Sequence, residues 1–352
     1  MTLKQLFSTA PVTTLLLISF IGLFIIQLLT GVDANNPSTE QLLNWGANAL
    51  PYTLGDEPWR LVSSGFLHIG LMHLLFNSFA MYFFGQIAEP MFGSAKFLAL
   101  FLLAVVGGNV LNNQVTWQAI IDGSGQPGLS AGASGGIMGI GAALLVAAFF
   151  KMSVNGMVLN LKSLVLIMGI NLVYGFAVPG IDNAGHIGGA ITGLIIALPI
   201  AWIYRQHEQA QQAAIAEAQM AYQNAVQQSY ASHSHNVFVN SNQVIDNNPP
   251  LTNIFADNNS QIPVNLTKGA KTAGKESTTI DTDEGNRDSY ISHYPTYIDP
   301  KSFMPEPAKT SLIEQILPWI VMLIIVIAFV WWWQDIHNQI LQILAATEQP
   351  IE

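Results

Sequence analysis

The chain has 352 residues, of which 51% are hydrophobic and only 10% are charged, and its formal net charge is −10. A soluble chain of this length would carry far more charge, and the acidic balance argues against a nucleic-acid partner. There is no cysteine, which excludes disulfides, thiol nucleophiles and cysteine metal sites.

Apolar segments recur along the first part of the chain and predict helices that cross the hydrocarbon core of a membrane. Six spans are predicted there: Val12–Leu29, Gly70–Ala88, Lys96–Leu111, Ser134–Phe150, Ser163–Val178 and His186–Tyr204. The first is longer than a signal-peptide core and no small-residue cleavage pattern follows it, so we expect it to be retained. A seventh span, Leu312–Trp333, ends in consecutive tryptophans that are typical of an aromatic belt.

These spans divide the chain into three regions. Residues 1–205 form a six-helix membrane domain, and residues 206–310 form a polar cytoplasmic region. Within that region, the alanines of 207–231 favour a helical extension, whereas 232–309 has too little apolar content to order and is predicted to be a disordered linker. Residues 311–352 hold the seventh helix and a short outer tail. An apolar stripe in the tail is expected to rest on the outer membrane surface, and it consists of Ile336, Ile340, Ile343 and Leu344.

The basic residues predict the orientation in the membrane. With a cytoplasmic amino terminus, nearly all lysines and arginines of the short loops lie inside and Arg60 alone lies outside, as the positive-inside rule requires. We therefore expect an integral multi-pass protein of a cell membrane. The bacterial inner membrane is favoured because no organelle-targeting segment is evident.

In this orientation the second, fourth and sixth spans run from outside to inside. His73, Ser134 and His186 lie in or near their first turns and share one depth, with Asn77 one turn below His73 on the same face. Each alone has a structural explanation, because serines pack and histidines or asparagines form interhelical hydrogen bonds in membranes. Their coincidence at one depth indicates a catalytic site.

Glycines on the fourth and sixth spans support this geometry. They lie at four-residue intervals that allow close backbone approach: Gly135, Gly139, Gly185, Gly189 and Gly193. The Ser134 hydroxyl and the His186 imidazole are then expected within hydrogen-bond reach, which is the condition for an activated nucleophile.

Three segments together resemble the rhomboid family of intramembrane serine proteases: Trp59–Asn77 (WRLVSSGFLHIGLMHLLFN), Gly132–Gly135 (GASG) and His186–Gly193. The resemblance covers roughly residues 10–205. It implies an all-α polytopic membrane protein, a rhomboid-like bundle of six helices plus a seventh transmembrane helix (6+1). It also implies a cofactor-free serine endopeptidase whose partners are the lipid bilayer and transmembrane protein substrates, cleaved in or near the membrane segment of single-span proteins.

The resemblance also assigns roles to individual residues. Ser134 attacks the peptide carbonyl and His186 transfers the proton, while His73, Asn77 and the Ser134 amide hold the oxyanion. Structural support is assigned to a second set: His68, Gly132, Gly135, Gly189 and Gly193.

Four further residues lie outside this core set. Trp59 and Arg60 are expected to be anchors in a membrane-facing loop, with Arg60 able to reach lipid phosphate. Met138 stands where relatives often carry an aromatic residue that packs on the catalytic histidine, and altered substrate fit is expected. Asp182 is expected to cap or solvate its loop rather than to orient His186.

Other functions would leave different marks on the sequence. A catalytically silent rhomboid-like scaffold would be indicated by loss of Ser134 or His186, and both are present. A small-solute transporter would show charged residues at mid-membrane or broken helices in paired repeats, which are not evident. The sequence contains no His-Glu-x-x-His motif, so no metal site is expected. The predicted spans contain no pair of aspartates, which argues against an aspartyl protease. The sequence does not indicate an oligomeric state.

Overall fold

The computed structural model describes residues 3–126, 128–154, 157–177, 181–234, 298–306 and 311–347. The described part is mostly helical. In chain order its helices are α1 (Leu3–Thr9), α2 (Pro11–Leu29), α3 (Thr39–Asn44), α4 (Leu50–Thr53), α5 (Arg60–Ser63), α6 (Leu71–Phe92), α7 (Ser94–Ile121), α8 (Ser134–Phe149), α9 (Leu161–Ala177), α10 (Asn183–Ser234) and α11 (Leu312–Thr347), with 3₁₀ turns at Ser64–Phe66 and Pro300–Phe303.

Two short antiparallel pairs accompany the helices: β1 (Asn48–Ala49) with β2 (Leu129–Ser130), and β3 (Ser153–Val154) with β4 (Met157–Val158). In the first pair, Asn48 lies opposite Ser130 and Ala49 lies opposite Leu129. This pair joins the loop after α3 to the segment that leads into α8.

Five of the described helices are long and apolar enough to cross a membrane, namely α2, α6, α7, α10 and α11. The helices α8 and α9 are equally apolar but shorter. With 16 residues, α8 is about 24 Å long, which is less than the roughly 30 Å of a hydrocarbon core.

Two predicted spans are longer than expected. α7 continues ten residues beyond the predicted end at Leu111, to Ile121, and α11 continues past Trp333 to Thr347. With 36 residues, α11 is about 54 Å long and exceeds the hydrocarbon thickness by about 24 Å.

The chain forms two compact units, Met1–Gln206 with Thr310–Glu352, and His207–Lys309. In the second unit the helical stretch predicted over 207–231 is part of α10, which ends at Ser234. The Tyr222 and Phe303 rings meet edge to face at 5.7 Å. The predicted disordered linker falls mostly outside the described residues.

The core of the first unit surrounds α8. From Gly136 to Ala148 nearly every residue of this helix is buried, and the large side chains packed in the same core include Phe20, Met81 and Phe101. Because α8 is rich in glycine and alanine, its neighbours approach its backbone closely. The central helix therefore begins at Ser134 in a protein environment.

The predicted close approach of the fourth and sixth spans is present between α8 and α10. A Cβ on Gly189 would overlap the carbonyl oxygen of Gly135, and a Cβ on Gly193 would overlap that of Gly139. On the other side, a Cβ on Gly135 would lie 3.3 Å from the carbonyl oxygen of Gly185. The backbones are in contact over two turns, and any side chain at these positions would separate them.

The apolar stripe of the tail lies elsewhere than predicted. Ile336 is only 3% exposed and packs in a cluster with Leu50, Leu54 and Trp117, with Ile340 against its edge. The expectation that this stripe rests on the membrane surface is wrong for these two isoleucines, because the extended end of α7 brings Trp117 opposite them.

Candidate active site

Ser134 is the first residue of α8. The backbone amides of the first turn of a helix have no intrahelical acceptor, and the macrodipole places partial positive charge there. The serine hydroxyl therefore lies at the positive end of the central helix, and the serine's own amide is available as a donor.

The loop before Ser134 depends on a glycine. Gly132 has φ +143°, a conformation that disfavours side chains, and its amide donates to the carbonyl of Ser64 at 2.9 Å. A Cβ at Gly132 would lie 2.6 Å from Cε1 and 2.8 Å from Nε2 of His73. The loop backbone thus packs directly on the His73 ring.

The hydrogen bond of His73 sets its tautomer. The Ile69 amide donates to His73 Nδ1 at 3.3 Å, so Nδ1 is the acceptor and the neutral ring carries its proton on Nε2. This Nε2 is the atom next to Gly132. His73 therefore presents an N–H donor to the loop that precedes the serine.

Asn77 lies one turn further along the same face of α6. Its side chain is 6% exposed, and Nδ2 has no hydrogen-bond partner among the described residues. The same Nδ2 would lie 3.7 Å from a Cβ on Gly132. A buried amide donor without an acceptor costs about 1–3 kcal/mol, and this donor lies beside the loop that precedes Ser134.

His186 lies in the first turn of α10. Gly185, which precedes it, lines the same cavity as Ser134, and Nδ1 of His186 is buried without a partner among the described residues. The structure places His186 beside the α8–α10 contact, but no hydrogen bond between the Ser134 and His186 side chains occurs in the described part of the chain. The expected hydrogen bond between the Ser134 hydroxyl and the His186 imidazole stays a prediction.

Asp182 caps the start of α10. Its Oδ1 accepts the Gly185 amide at 2.7 Å, and its carbonyl accepts the His186 amide at 3.0 Å. The carboxylate therefore fixes the helix start that carries His186, as expected for a cap.

A small cavity of about 30 Å³ lies beside the serine. Its polar lining comes from Ser134, Asn109, Ser130 and Asp182, and most of the remaining lining is glycine and alanine. At roughly 10–15 Å³ for each water molecule, it has room for about two.

Sequence reasoning missed a buried polar network behind this cavity. Asn109 Nδ2 donates to the Leu61 carbonyl and to Ser64 Oγ, both at 2.8 Å, and Asn109 Oδ1 accepts from Ser130 Oγ at 3.2 Å. Asn48 Nδ2 donates to the same Ser130 Oγ at 3.0 Å. The signal in the sequence was the pair of asparagines four residues apart in an apolar helix, Asn109 and Asn113, because such residues normally face a protein interior.

His68 lies in the loop before α6 and is 2% exposed. Its ring lies 5.2 Å from that of Phe20 and 5.4 Å from that of His73. Burial, helped by the nearby His73, lowers the pKa of His68 to about 3, so the ring stays neutral near pH 7.

The membrane-facing role predicted for Arg60 is wrong. Its guanidinium is buried, pairs with Glu57, and donates from Nη1 to the carbonyls of Leu43 (2.7 Å) and Ala47 (3.0 Å). These bonds leave it no freedom to reach lipid phosphate. Trp59 is 51% exposed, and its ring lies 4.8 Å from the guanidinium carbon.

Two further observations complete the site. Met138 is 8% exposed and belongs to the main core, so it fills space inside the bundle. Within the described ranges, no group of three or more histidine, aspartate or glutamate side chains is placed to hold a metal ion.

One part of the chain is similar to a known protein family. Residues 55–203 match the model of the Rhomboid family, described as the Rhomboid domain. This range includes Ser134, His186, His73 and Asn77, and it excludes the polar region and α11.

Three curated relatives match over about half of the chain. Rhomboid protease GluP of Bacillus subtilis is 37% identical over 179 residues, 51% of this chain and 33% of the relative. RHOMBOID-like protein 4 of Arabidopsis thaliana is 32% identical over 179 residues, 50% of this chain and 43% of the relative. Rhomboid protease AarA of Providencia stuartii is 31% identical over 186 residues, 47% of this chain and 64% of the relative. The chain therefore spans between a third and two thirds of the length of these relatives.

Proposed function

We propose that the chain is an intramembrane serine endopeptidase of the rhomboid type, since residues 55–203 match the Rhomboid domain and five described helices are long and apolar enough to cross a membrane. It hydrolyses peptide bonds in or near the transmembrane segment of single-span membrane proteins. One observation carries the proposal: the unpaired donor of Asn77 and the Nε2 of His73 converge on the loop that ends at Ser134. Such an arrangement suits an anion that forms only during reaction.

In the acylation step, His186 removes the proton from Ser134 Oγ as that oxygen attacks the carbonyl carbon of the substrate. The carbonyl oxygen becomes an oxyanion that accepts hydrogen bonds from His73 Nε2, Asn77 Nδ2 and the Ser134 amide. The C–N bond then breaks, and His186 returns the proton to the leaving amine. Each preorganised donor of this kind is worth about 2.7–4 kcal/mol of barrier lowering.

Deacylation needs a water molecule in an apolar setting. The cavity beside Ser134 supports this step, because its lining offers Asn109, Ser130 and Asp182 as partners and its volume suits about two waters. His186 removes a proton from the water as the water oxygen bonds to the acyl carbon, and it returns that proton to Ser134 Oγ as the ester bond breaks.

We place the six-plus-one arrangement in the membrane with α8 and α9 as its shorter spans. The amino terminus is cytoplasmic, as the positive-inside rule indicates, and the bacterial inner membrane is the proposed location. Since helical amides are already hydrogen-bonded, a substrate helix must unwind locally to present its backbone to Ser134.

The test is labelling with a fluorophosphonate together with cleavage of a single-span substrate in proteoliposomes. The intact protein should label and cleave, and Ser134→Ala should do neither. Ser163→Ala, a matched change at an exposed serine of α9, should behave like the intact protein. Labelling that is indifferent to Ser134→Ala would refute the proposal and favour the non-catalytic scaffold.

A further inference from the structure

We propose that α11 positions the active site, and that Trp333 acts on the loop before Ser134 through Thr53, Asn48 and Ser130. The inference rests on the proposed protease function, since it assigns a positioning role for that reaction. It assigns a function to α11, which lies outside the matched rhomboid domain.

The first step is the contact between α11 and the carboxyl end of α4. Trp333 Nε1 donates to the Thr53 carbonyl at 2.8 Å, and His337 Nδ1 donates to the Leu54 carbonyl at 2.7 Å. The two rings of α11 stack on each other, with centroids 4.9 Å apart and planes inclined by 13°. The last carbonyls of a helix have no intrahelical donors, so α11 supplies the donors that fix this end of α4.

The second step leads from α4 to β1. Thr53 Oγ1 accepts the Ala49 amide at 3.2 Å and donates to Asn48 Oδ1 at 2.9 Å. Both Thr53 and Asn48 are 0% exposed. Thr53 therefore accepts a hydrogen bond from Trp333 through its carbonyl and donates one to Asn48 through its hydroxyl. A single buried residue links Trp333 to Asn48.

The third step leads from β1 to the active site. Asn48 Nδ2 donates to Ser130 Oγ at 3.0 Å, and the backbones of Asn48 and Ser130 pair in the β1–β2 ladder. Ser130 stands two residues before Gly132 and lines the cavity beside Ser134. A continuous chain of contacts thus runs from the indole of Trp333 to the wall of the site.

Other bonds hold α11 in place independently of Trp333. Trp332 Nε1 donates to Gln114 Oε1 at 2.7 Å, and Trp117 Nε1 donates to Gln339 Oε1 at 3.2 Å. Because these bonds join α11 to α7, loss of the Trp333 donor alone leaves α11 docked. Trp333→Phe therefore removes the link to Thr53 while it keeps an aromatic ring against His337.

The experiment compares Trp333→Phe with Trp331→Phe in the full-length protein. Trp331 is 69% exposed, which makes it a matched control in the same helix. Two quantities are measured for each: hydrogen–deuterium exchange of the amides at 129–133, and kcat and KM for a single-span substrate in proteoliposomes.

For Trp333→Phe we expect faster amide exchange at 129–133. The kcat should fall about fivefold, which corresponds to the loss of one buried hydrogen bond. The KM should stay within about twofold of the intact protein. Trp331→Phe should match the intact protein in both measurements. A purely structural role for Trp333 would lower the amount of folded enzyme without accelerating exchange at 129–133.

Thr53→Val breaks the same chain one step nearer the site, and it should reproduce the faster exchange if Trp333→Phe folds poorly. Unchanged exchange and kcat in either variant, when it is folded, overturn the inference while the protease proposal stands. If exchange rises in the variants but the intact protein neither cleaves substrate nor labels at Ser134, the coupling is supported and the proposed function fails.

Discussion

Asn77→Leu is expected to raise stability and abolish most activity. In the folded protein, Asn77 Nδ2 is buried without a partner in the described part of the chain. An unsatisfied buried donor costs about 1–3 kcal/mol, and replacing it with an apolar group of similar size removes this cost. The free energy of unfolding should therefore stay level or increase by up to about that amount.

Activity should move the other way. If Nδ2 donates to the oxyanion, its loss raises the barrier by about 2.7–4 kcal/mol, which lowers kcat by about 10²–10³-fold. KM should change little, since this bond is made only in the transition state. The matched control is Asn109→Leu, because Asn109 is buried in a neighbouring helix but donates two hydrogen bonds.

The assay is steady-state cleavage in proteoliposomes together with thermal unfolding of both variants. Asn109→Leu leaves the Leu61 carbonyl and the Ser64 hydroxyl without their donor, so its unfolding temperature should fall. A fall of similar size in Asn77→Leu, or a kcat within about threefold of the intact protein, would refute the oxyanion role of Asn77.

Two further outcomes follow from the packing and the charges. Gly189→Ala places a methyl group against the Gly135 carbonyl and should destabilise the α8–α10 contact by about 1–3 kcal/mol, with loss of cleavage. Gly169→Ala, which meets nothing within 4 Å in the interior of α9, should keep or slightly raise the melting temperature and leave cleavage unchanged. Because burial lowers the pKa of His68 to about 3 from 6.5, the unfolded chain binds a proton that the folded protein does not, and stability should be lost as pH falls from about 6.5 towards 3. Thermal unfolding of His68→Gln between pH 7 and pH 4 should show a shallower decline, and parallel curves for the variant and the intact protein would contradict this assignment.

Hydropathy predicted where helices run but not how far two of them extend. The average hydropathy falls after Leu111 and Trp333 because polar residues follow. A prediction based on membrane-spanning hydropathy therefore ends each helix there. In the structure those polar residues have partners in the other helix, such as Gln114 with Trp332. This pairing is a tertiary property, so local composition underestimates the length of α7 and α11.

The candidate site also has features that the sequence predicts and features that only the tertiary structure decides. The prediction that His73, Ser134 and His186 share one depth rests on the positions of helix starts, and the structure places Ser134 and His186 in the first turns of α8 and α10. Arg60 was assigned to the membrane surface because it is a cation beside a tryptophan in an outer loop. Its actual acceptors are the carbonyls of Leu43 and Ala47, and the fold of the intervening loop decides that they converge on it.

Buried polar atoms without partners are not spread evenly through the described chain. Apart from the amide of Gln27, such side-chain atoms belong to five residues at or near the starts of α6 and α10: His68, Asn77, Ser78, Asn183 and His186. Asparagines further back, such as Asn48 and Asn109, have their hydrogen bonds satisfied. A donor that is to bond a developing oxyanion cannot be bonded beforehand, so Asn109 is paired in the wall of the cavity while Nδ2 of Asn77 is free for its proposed role. The unpaired Nδ2 of Asn77 therefore costs stability at the point where it is proposed to act, as expected for a trade-off between stability and activity.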